Sequence, residues 1–176
     1  MPYKFYTEPR AKDISYEKRP RSISDIEWIV VHFTANYSDK AVNNATWFAT
    51  GNKEKAGAHF FIDDTSVYQS IAPTKVARAV GGKKYANCDK TGGGKLYKKC
   101  TNANSVSIEL CSEYGAFSAK TLDNAEAFIK DLMKKWDIPS SHVIRHFDVN
   151  GKQCPGWQGW WGADSSKWWA FKKRFM

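Results

Sequence analysis

The chain has 176 residues, of which 42% are hydrophobic and 26% charged; this balance excludes a disordered protein and suits one domain with a substantial core. Its net charge of +9 favours an anionic partner, and charge alone leaves nucleic acid, anionic lipid and an anionic wall polymer open. The basic residues are spread along the chain without a nucleic-acid-binding motif, so we expect no nucleic-acid partner, and no apolar run reaches the roughly 18 residues of a membrane span.

The start of the chain is polar and basic. Residues 1–24 predict an extended arm ahead of a single domain over residues 25–176. This segment has no apolar stretch of the kind found in a secretory signal. We therefore expect the chain to be made in the cytoplasm and to leave the cell, if it does, by another route.

The first half of the predicted domain contains strands and one helix. The segment 26–34 is nearly continuously apolar, as expected of a strand that is buried on both faces. A helix follows, with Ser38 as its cap and Gly51 as its stop. Segments 56–64 and 66–72 then predict a β-hairpin.

The second half opens with a glycine-rich stretch, 81–104, which predicts a long functional or mobile loop. The elements predicted after it are a buried strand over 105–111, an amphipathic helix that ends before Pro139, a short strand over 141–149 and a last helix near Asp164. Because strands alternate with helices, the sequence predicts an α/β fold of the mixed α+β kind. We expect a single layered domain with a central mixed β-sheet flanked by helices.

Three residues are candidate metal ligands. His32 and His146 are each placed at the C-terminal end of a predicted strand, where ligands collect in open α/β sheets. Cys154 follows His146 after a turn at Asn150 and Gly151. Two imidazoles and one thiolate suit Zn²⁺ and leave a fourth position for water. The alternative is that the histidines are hydrogen-bonded core residues and that the thiol only packs.

A carboxylate and an ammonium group are candidates for the chemistry at such a site. Glu109 interrupts an apolar strand, where a charge is costly unless it is paired or functional, and a glutamate near a zinc-bound water can move its proton. Lys152 precedes Cys154 by two positions and is suited to stabilise an oxyanion. The alternatives are an edge strand with Glu109 in solvent and an ordinary solvated lysine.

The remaining cysteines give no sign of a second metal site, because the chain contains no CxxC pair. Cys88 and Cys100 flank a loop and are open to bridging, although free thiols are the default without a secretory signal. Cys111 lies in an apolar run and is expected to be buried packing.

Four motifs together resemble a known family. "VVHFT", "AHFFID", "NSVSIELC" and "RHFDVNGKQCPG" have the order and spacing seen in zinc-dependent N-acetylmuramoyl-L-alanine amidases, which occur as phage endolysins and bacterial autolysins. The resemblance runs from about residue 24 to the last helix. It implies the fold shared with animal peptidoglycan recognition proteins. The implied reaction is hydrolysis of the amide between the lactyl group of N-acetylmuramic acid and L-alanine of the stem peptide.

The resemblance also implies a role for individual residues. It assigns zinc to His32, His146 and Cys154, the general base to Glu109 and stabilisation of the transition state to Lys152. It also implies that His59 and Trp157 lie at the substrate site. For His59 a supporting role behind the metal ligands is an equal alternative, and for Trp157 the equal alternative is packing in the core. Some branches of the family carry a catalytic tyrosine before that histidine. Here the position is Ala58, so more of the proton transfer is expected to fall on Glu109.

The implied partner is bacterial cell-wall peptidoglycan, with anionic wall polymers as further candidates because of the positive charge. We expect action on the wall after release through a pore or on lysis, while the oligomeric state is open. Two other functions are weighed against the amidase. One is a peptidoglycan-binding recognition module without catalysis, and the other is a basic protein that binds nucleic acid or a membrane surface.

Overall fold

The computed structural model describes residues 2–176, which form one mixed β-sheet with helices on its faces. The strands are β1 (Lys4–Tyr6), β2 (Tyr16–Pro20), β3 (Trp28–Phe33), β4 (Phe60–Ile62), β5 (Ser66–Gln69), β6 (Lys75–Ala77), β7 (Ser105–Leu110) and β8 (Val143–Arg145). The helices are α1 (Ala41–Thr50), α2 (Cys88–Thr91), α3 (Ala119–Trp136), α4 (His146–Asn150) and α5 (Ser166–Lys172). The sheet order is β1-β5-β4-β7-β3-β8, and β2 pairs with β6 in a separate two-stranded sheet. The predicted mixed α+β fold is confirmed.

Strands β3 and β7 form the centre of the sheet. They run parallel over six paired positions, and β8 and β4 extend the parallel arrangement on the two sides. On one face, Ile29 and Val31 lie beside Val106 and Ile108, and all four are fully buried. The opposite face carries the polar side chains of the same strands, so one face of the sheet builds the core and the other builds the site.

Helix α3 covers the hydrophobic face. Ser118 caps its start by accepting a hydrogen bond from the backbone N–H of Thr121, and Asp137 ends it in the left-handed conformation. Phe128, Ile129 and other residues of its apolar stripe pack in the main core with β3, β4 and β7. The predicted helix and its apolar face are confirmed.

The cap predicted for α1 is wrong. The helix begins at Ala41, and the side chain of Lys40 at its cap position makes no capping hydrogen bond. Asp63, from the turn after β4, instead accepts a hydrogen bond of 2.8 Å from the N–H of Ala41. This buried carboxylate also accepts from Thr65 and Ser66, so it joins the helix to the β4–β5 turn. Burial raises the pKa of Asp63, but these hydrogen bonds outweigh burial and lower it.

The strand predicted over 141–149 is also partly wrong. Only Val143–Arg145 is extended, and the chain then turns into helix α4. A capping box explains the change, because Asp148 accepts a hydrogen bond of 2.8 Å from the N–H of Arg145. The apolar Phe147 and Val149 imitate a continuing strand pattern, and both are buried by the helix instead.

The segment expected as an arm is integrated into the fold. β1 extends the main sheet by pairing in parallel with β5, and β2 pairs with β6. The guanidinium of Arg21 is buried and donates hydrogen bonds to the carbonyl oxygens of Pro73, Asn102, Ala103 and Ser105. The start of the chain thus belongs to the packed structure, while the boundary at residues 24 and 25 stays a prediction.

The glycine-rich segment 81–104 is a loop that contains the short helix α2. It lies close against α4: a Cβ atom on Gly93 would meet the ring of Phe147 at 2.8 Å, which requires glycine there. Cys88, Cys100, Cys111 and Cys154 are all buried free thiols. None of the helices within residues 2–176 has the length and apolarity to cross a bilayer.

We expect Arg21→Met to lower the free energy of unfolding by about 3 kcal/mol, because several backbone carbonyl groups lose their donor. Urea denaturation followed by circular dichroism measures the change. Arg19→Met is the matched control, since the Arg19 side chain is 57% exposed and its exposed ion pair with Glu17 contributes about 1 kcal/mol at most. Equal stability of the two variants would show that the buried guanidinium does not hold the first segment.

Candidate metal centre and active site

Three buried side chains converge at the carboxyl edge of the sheet. His32 comes from the end of β3, His146 from the first position of α4, and Cys154 from the segment after that helix. Their candidate ligand atoms all lie within 4.8 Å of one another. The three residues are 2–3% exposed, so the cluster lies below the surface. The structure therefore brings together the three residues that the sequence predicted as ligands.

The chain folds back locally to bring the thiol beside the imidazoles. Gly151 ends α4 with φ of +87°, a conformation that favours glycine. The carbonyl oxygen of Cys154 then accepts a hydrogen bond of 3.0 Å from the N–H of Phe147, and its own N–H donates to the carbonyl oxygen of Lys152 at 2.8 Å. These backbone bonds place Cys154 beside the start of α4.

Three of the four ring nitrogens in the cluster have no hydrogen-bond partner among the described residues. Within residues 2–176, Nε2 of His32 and both ring nitrogens of His146 are buried and make no hydrogen bond. Buried polar atoms are normally paired, and an unpaired one costs stability. Two neutral imidazoles and one sulfur are the donor set of a catalytic zinc site with three protein ligands. The residues present therefore fit Zn²⁺.

Protonation in the cluster is controlled mainly by burial. Burial lowers the pKa of His146 to about 3 and that of His32 well below its usual value, with the charge of Lys152 adding to both shifts. Both rings are therefore neutral, which is the form that binds a metal. Burial raises the pKa of the Cys154 thiol, so metal binding at this cluster would release a proton.

Glu109 lies directly beside the cluster. It is paired with His32 across β7 and β3, and its Oε1 lies 3.9 Å from Nδ1 of that histidine. Its Oε2 is buried without a hydrogen-bond partner among the described residues. Since β7 lies between β4 and β3, the edge-strand alternative is wrong. Burial raises the pKa of Glu109 to about 8 against the opposing charge of Lys152, which suits a group that exchanges a proton near neutral pH.

Lys152 is exposed and separates two clefts that open beside the cluster. One cleft has a volume of about 650 Å³ and reaches His146, and the other has about 550 Å³ and reaches Glu109. Lys152 lines both. The predicted ammonium group therefore stands where the two clefts meet, next to the candidate ligands.

His59 does not line either cleft, which corrects its predicted place in the substrate site. The side chain is 1% exposed. Its Nδ1 accepts a hydrogen bond of 3.0 Å from the N–H of Ser107, and its Nε2 lies 2.9 Å from Nη2 of Arg21. Burial, with the charge of Arg21, lowers the pKa of His59 to about 3. The structure favours the supporting role behind the site, since no surface of the ring is left for substrate.

Trp157 is half-buried and packs edge-on against Phe33, with ring centroids 5.3 Å apart, and against Phe117 at the same distance. Phe33 in turn lines the cleft beside Glu109. The structure places Trp157 behind that wall, so its contact with substrate stays a prediction. The neighbouring Trp160 is buried in the main core.

Three residues of the clefts were missed by sequence reasoning. Trp47 is 47% exposed and lines the cleft beside Glu109, together with Asp39, which accepts hydrogen bonds from Asn36 and Asn44. Arg78 lines the other cleft. Nothing in their local sequence marks them, because each reaches the site only through the tertiary fold.

Comparison with known proteins gives the family. The model of the family described as N-acetylmuramoyl-L-alanine amidase matches residues 22–157, a range that contains every candidate site residue. N-acetylmuramoyl-L-alanine amidase CwlL of Bacillus licheniformis is 29% identical over 164 residues, covering 90% of this chain and 43% of the relative. N-acetylmuramoyl-L-alanine amidase XlyA of Bacillus subtilis is 31% identical over 129 residues, covering 73% of this chain and 39% of the relative.

Solved structures agree on the fold. A mutant endolysin from Bacillus subtilis superposes with a TM-score of 0.74 at 22% identity, covering 97% of this chain and 98% of the other. PlyL superposes with a TM-score of 0.72 at 24% identity, covering 99% and 97%. The chain spans less than half the length of the curated relatives named above, 43% and 39%. By the extent of the family match, the chain belongs to the N-acetylmuramoyl-L-alanine amidase family.

Proposed function

We propose that the chain is a zinc-dependent hydrolase that cleaves the amide between the lactyl group of N-acetylmuramic acid and L-alanine of the peptidoglycan stem peptide. The observation that carries the proposal is the buried convergence of His32, His146 and Cys154, with unpaired ring nitrogens, beside the carboxyl group of Glu109. Family membership and the names of the relatives support the same reaction. Action on the wall after release through a pore or on lysis stays a prediction.

The metal would be held by His32, His146 and Cys154. Bound zinc supplies a Lewis acid and a water whose pKa is lowered towards neutrality. The two histidines are kept neutral by burial, and the thiol gives up its proton on binding. The three ligand side chains are buried, and the two clefts beside them leave room for water and substrate.

Glu109 is the group that moves the proton. In its ionised form it accepts a proton from the attacking water as the new bond to the carbonyl carbon forms. When the C–N bond breaks, the same carboxyl group returns the proton to the nitrogen of L-alanine. The products are a lactyl carboxylic acid and a free amine. Burial raises the pKa of Glu109, which favours the protonated form that exists between these two steps.

Lys152 is placed to stabilise the negative oxygen that develops in the transition state. Its side chain lines both clefts. Its charge adds to the lowering of the pKa of His32 and His146 by burial and opposes the rise in the pKa of Glu109 that burial causes. An ammonium group at this position attracts negative charge beside the ligands, which is the electrostatic contribution expected of an oxyanion-stabilising group.

We expect the zinc-loaded protein to release new alanine amino groups from purified peptidoglycan and no new reducing sugars. A chelator should abolish release and added zinc should restore it. Binding to the wall without cleavage would instead support the recognition module. Binding to nucleic acid or lipid that falls steeply with salt and survives the chelator would support the third function.

Substitution of a candidate zinc ligand tests the assignment of the metal site. Cys154→Ser should lose most bound zinc, because the thiolate is one of three ligands, whereas Cys111→Ala removes a buried thiol outside the cluster and should retain it. Zinc per chain is measured after gel filtration. A Cys154→Ser protein that keeps a full complement of zinc and full activity would contradict the ligand assignment.

We expect Glu109→Gln to bind zinc normally and to lose about 100-fold or more of the turnover, because an amide cannot accept the proton of the water. Initial rates on peptidoglycan and metal content are measured together. Glu113→Gln is the matched control, since that carboxylate is exposed and follows β7 by three residues. Equal rates for the two variants would remove Glu109 from the proton transfer.

The metal-free protein should lose stability as the pH falls from 7 to 5. The pKa values of His32, His59 and His146 are lowered by burial, so below pH 6.5 the unfolded chain binds protons that the folded chain does not. Glu109 acts in the opposite direction, because its raised pKa lets the folded state hold a proton in this window, but it is one group against three. Urea denaturation in a chelator at pH 7 and 5 measures the sum. Stability that stays level or rises would contradict burial of neutral imidazoles.

A further inference from the structure

The two clefts beside the candidate ligands differ in chemistry. The larger cleft, called here the basic cleft, is lined by the cations Lys55, Arg78, Lys83, Lys84 and Lys152 and by no acidic residue. The smaller one, called the aromatic cleft, is lined by the rings of Phe33, Trp47, Phe48 and Phe61 with several amide side chains. A substrate that reacts at the ligands must therefore extend into two different environments.

Most cations of the basic cleft are not neutralised by the protein. Lys84 lies 4.0 Å from Asp89, whose side chain is 97% exposed. In residues 2–176, Lys55, Arg78 and Lys83 have no carboxylate within 4 Å, in contrast to paired cations elsewhere such as Lys40 and Arg145. Uncompensated charge on one wall raises the local concentration of anions.

Arg78 is a cation of the basic cleft whose backbone is held in place by hydrogen bonds. Its backbone is fixed on both sides, since its N–H donates to the carbonyl oxygen of Ser15 and its carbonyl oxygen accepts from Gly57. Its Nε is buried and has no hydrogen-bond partner in the described part of the chain. Arg78 lines the cleft without a carboxylate partner among residues 2–176, and a guanidinium group is suited to bind a carboxylate through two parallel hydrogen bonds.

The aromatic cleft offers a different set of contacts. Trp47 presents a ring that is 47% exposed, and rings of this kind pack against apolar faces while polar neighbours bind hydroxyl groups. Asn43 and Asn44 from the same helix, with Asp39 before it, supply such polar groups. The combination suits an uncharged, hydroxyl-rich ring.

We propose that the substrate binds across the candidate metal ligands in a single orientation, with its stem peptide in the basic cleft and its sugar in the aromatic cleft. The carboxylates of the stem peptide are recognised by Arg78, Lys83 and Lys84. The inference rests on the proposed function and names the orientation and charge of its substrate. The scissile amide divides the substrate at the point where the clefts divide. Its free carboxylates all lie on the peptide side, and its rings and hydroxyl groups lie on the other.

The test compares two forms of one ligand. The tripeptide L-alanyl-γ-D-glutamyl-L-lysine, with its carboxylates free or amidated, is titrated into the zinc-loaded protein by calorimetry. We expect the free acid to bind about tenfold more tightly, the size of one charge-assisted hydrogen bond. Cleavage of the matching N-acetylmuramoyl peptides should show the same preference in kcat/KM.

Substitutions in the basic cleft test whether its cations cause the preference for the free acid over the amidated peptide. Arg78→Gln and the double variant Lys83→Gln with Lys84→Gln should each bring the ratio of the two forms towards one. Lys134→Gln removes one positive charge, as Arg78→Gln does, from an exposed position of α3 on the opposite face of the sheet, and it should leave the ratio unchanged. The double variant lies in an exposed loop and keeps the test valid if Arg78→Gln is unstable.

The outcomes separate the two proposals. Equal binding and equal cleavage of both forms would overturn the orientation and leave the amidase intact. A preference that survives both cleft variants, or that falls as much in Lys134→Gln, would overturn the assigned residues. Absence of cleavage of either form by the wild-type protein would count against the proposed function itself, whatever the binding shows.

Discussion

The parallel pairing of β3 with β7 is the constraint on which the site depends. It sets His32 opposite Glu109, and the pairing of β7 with β4 sets Phe61 on the other side of that carboxyl group. Side chains alternate along a strand, so a shift by one residue would turn these groups into the hydrophobic core. Such a shift is prevented by the opposite face, where Ile29 and Val106 are fully buried. Packing of the core thus determines which polar groups meet at the site.

The position of His146 depends on where strand β8 ends and helix α4 begins. At Arg145 the chain leaves the sheet because Asp148 caps the next turn and also pairs with the guanidinium at 2.7 Å. The same guanidinium donates to the carbonyl oxygen of Trp160 and to the hydroxyl of Ser165, which fixes the segment before α5. The buried side chain of Arg145 thus holds three parts of the chain together, and this positions the next residue, His146, to face His32.

Prediction from sequence succeeds here where a short pattern decides the structure. The apolar run of β3, the stripe of α3 and the spacing of His146 and Cys154 each contain their own signal, and the structure brings the three candidate ligands together. Ser38 failed as a cap because Asp63, distant in sequence, supplies the bond to α1. The first segment was read as an arm because two short, exposed strands carry almost no periodicity. Contacts between residues distant in sequence determine both the cap of α1 and the position of the first segment, and no local sequence pattern indicates such contacts.

The buried position of His59 links that first segment to the site. It lies one row of the sheet below His32 and Glu109, beside Ser107, and Arg21 reaches it from the segment before β3. A protonated imidazole there would place a positive charge beneath the candidate metal ligands. Burial opposes this by lowering the pKa of His59, and the charge of Arg21, which donates hydrogen bonds to backbone carbonyl oxygens, adds to the shift. Burial and Arg21 together keep the imidazole beneath the site neutral, so His59 itself adds no positive charge below the candidate metal ligands.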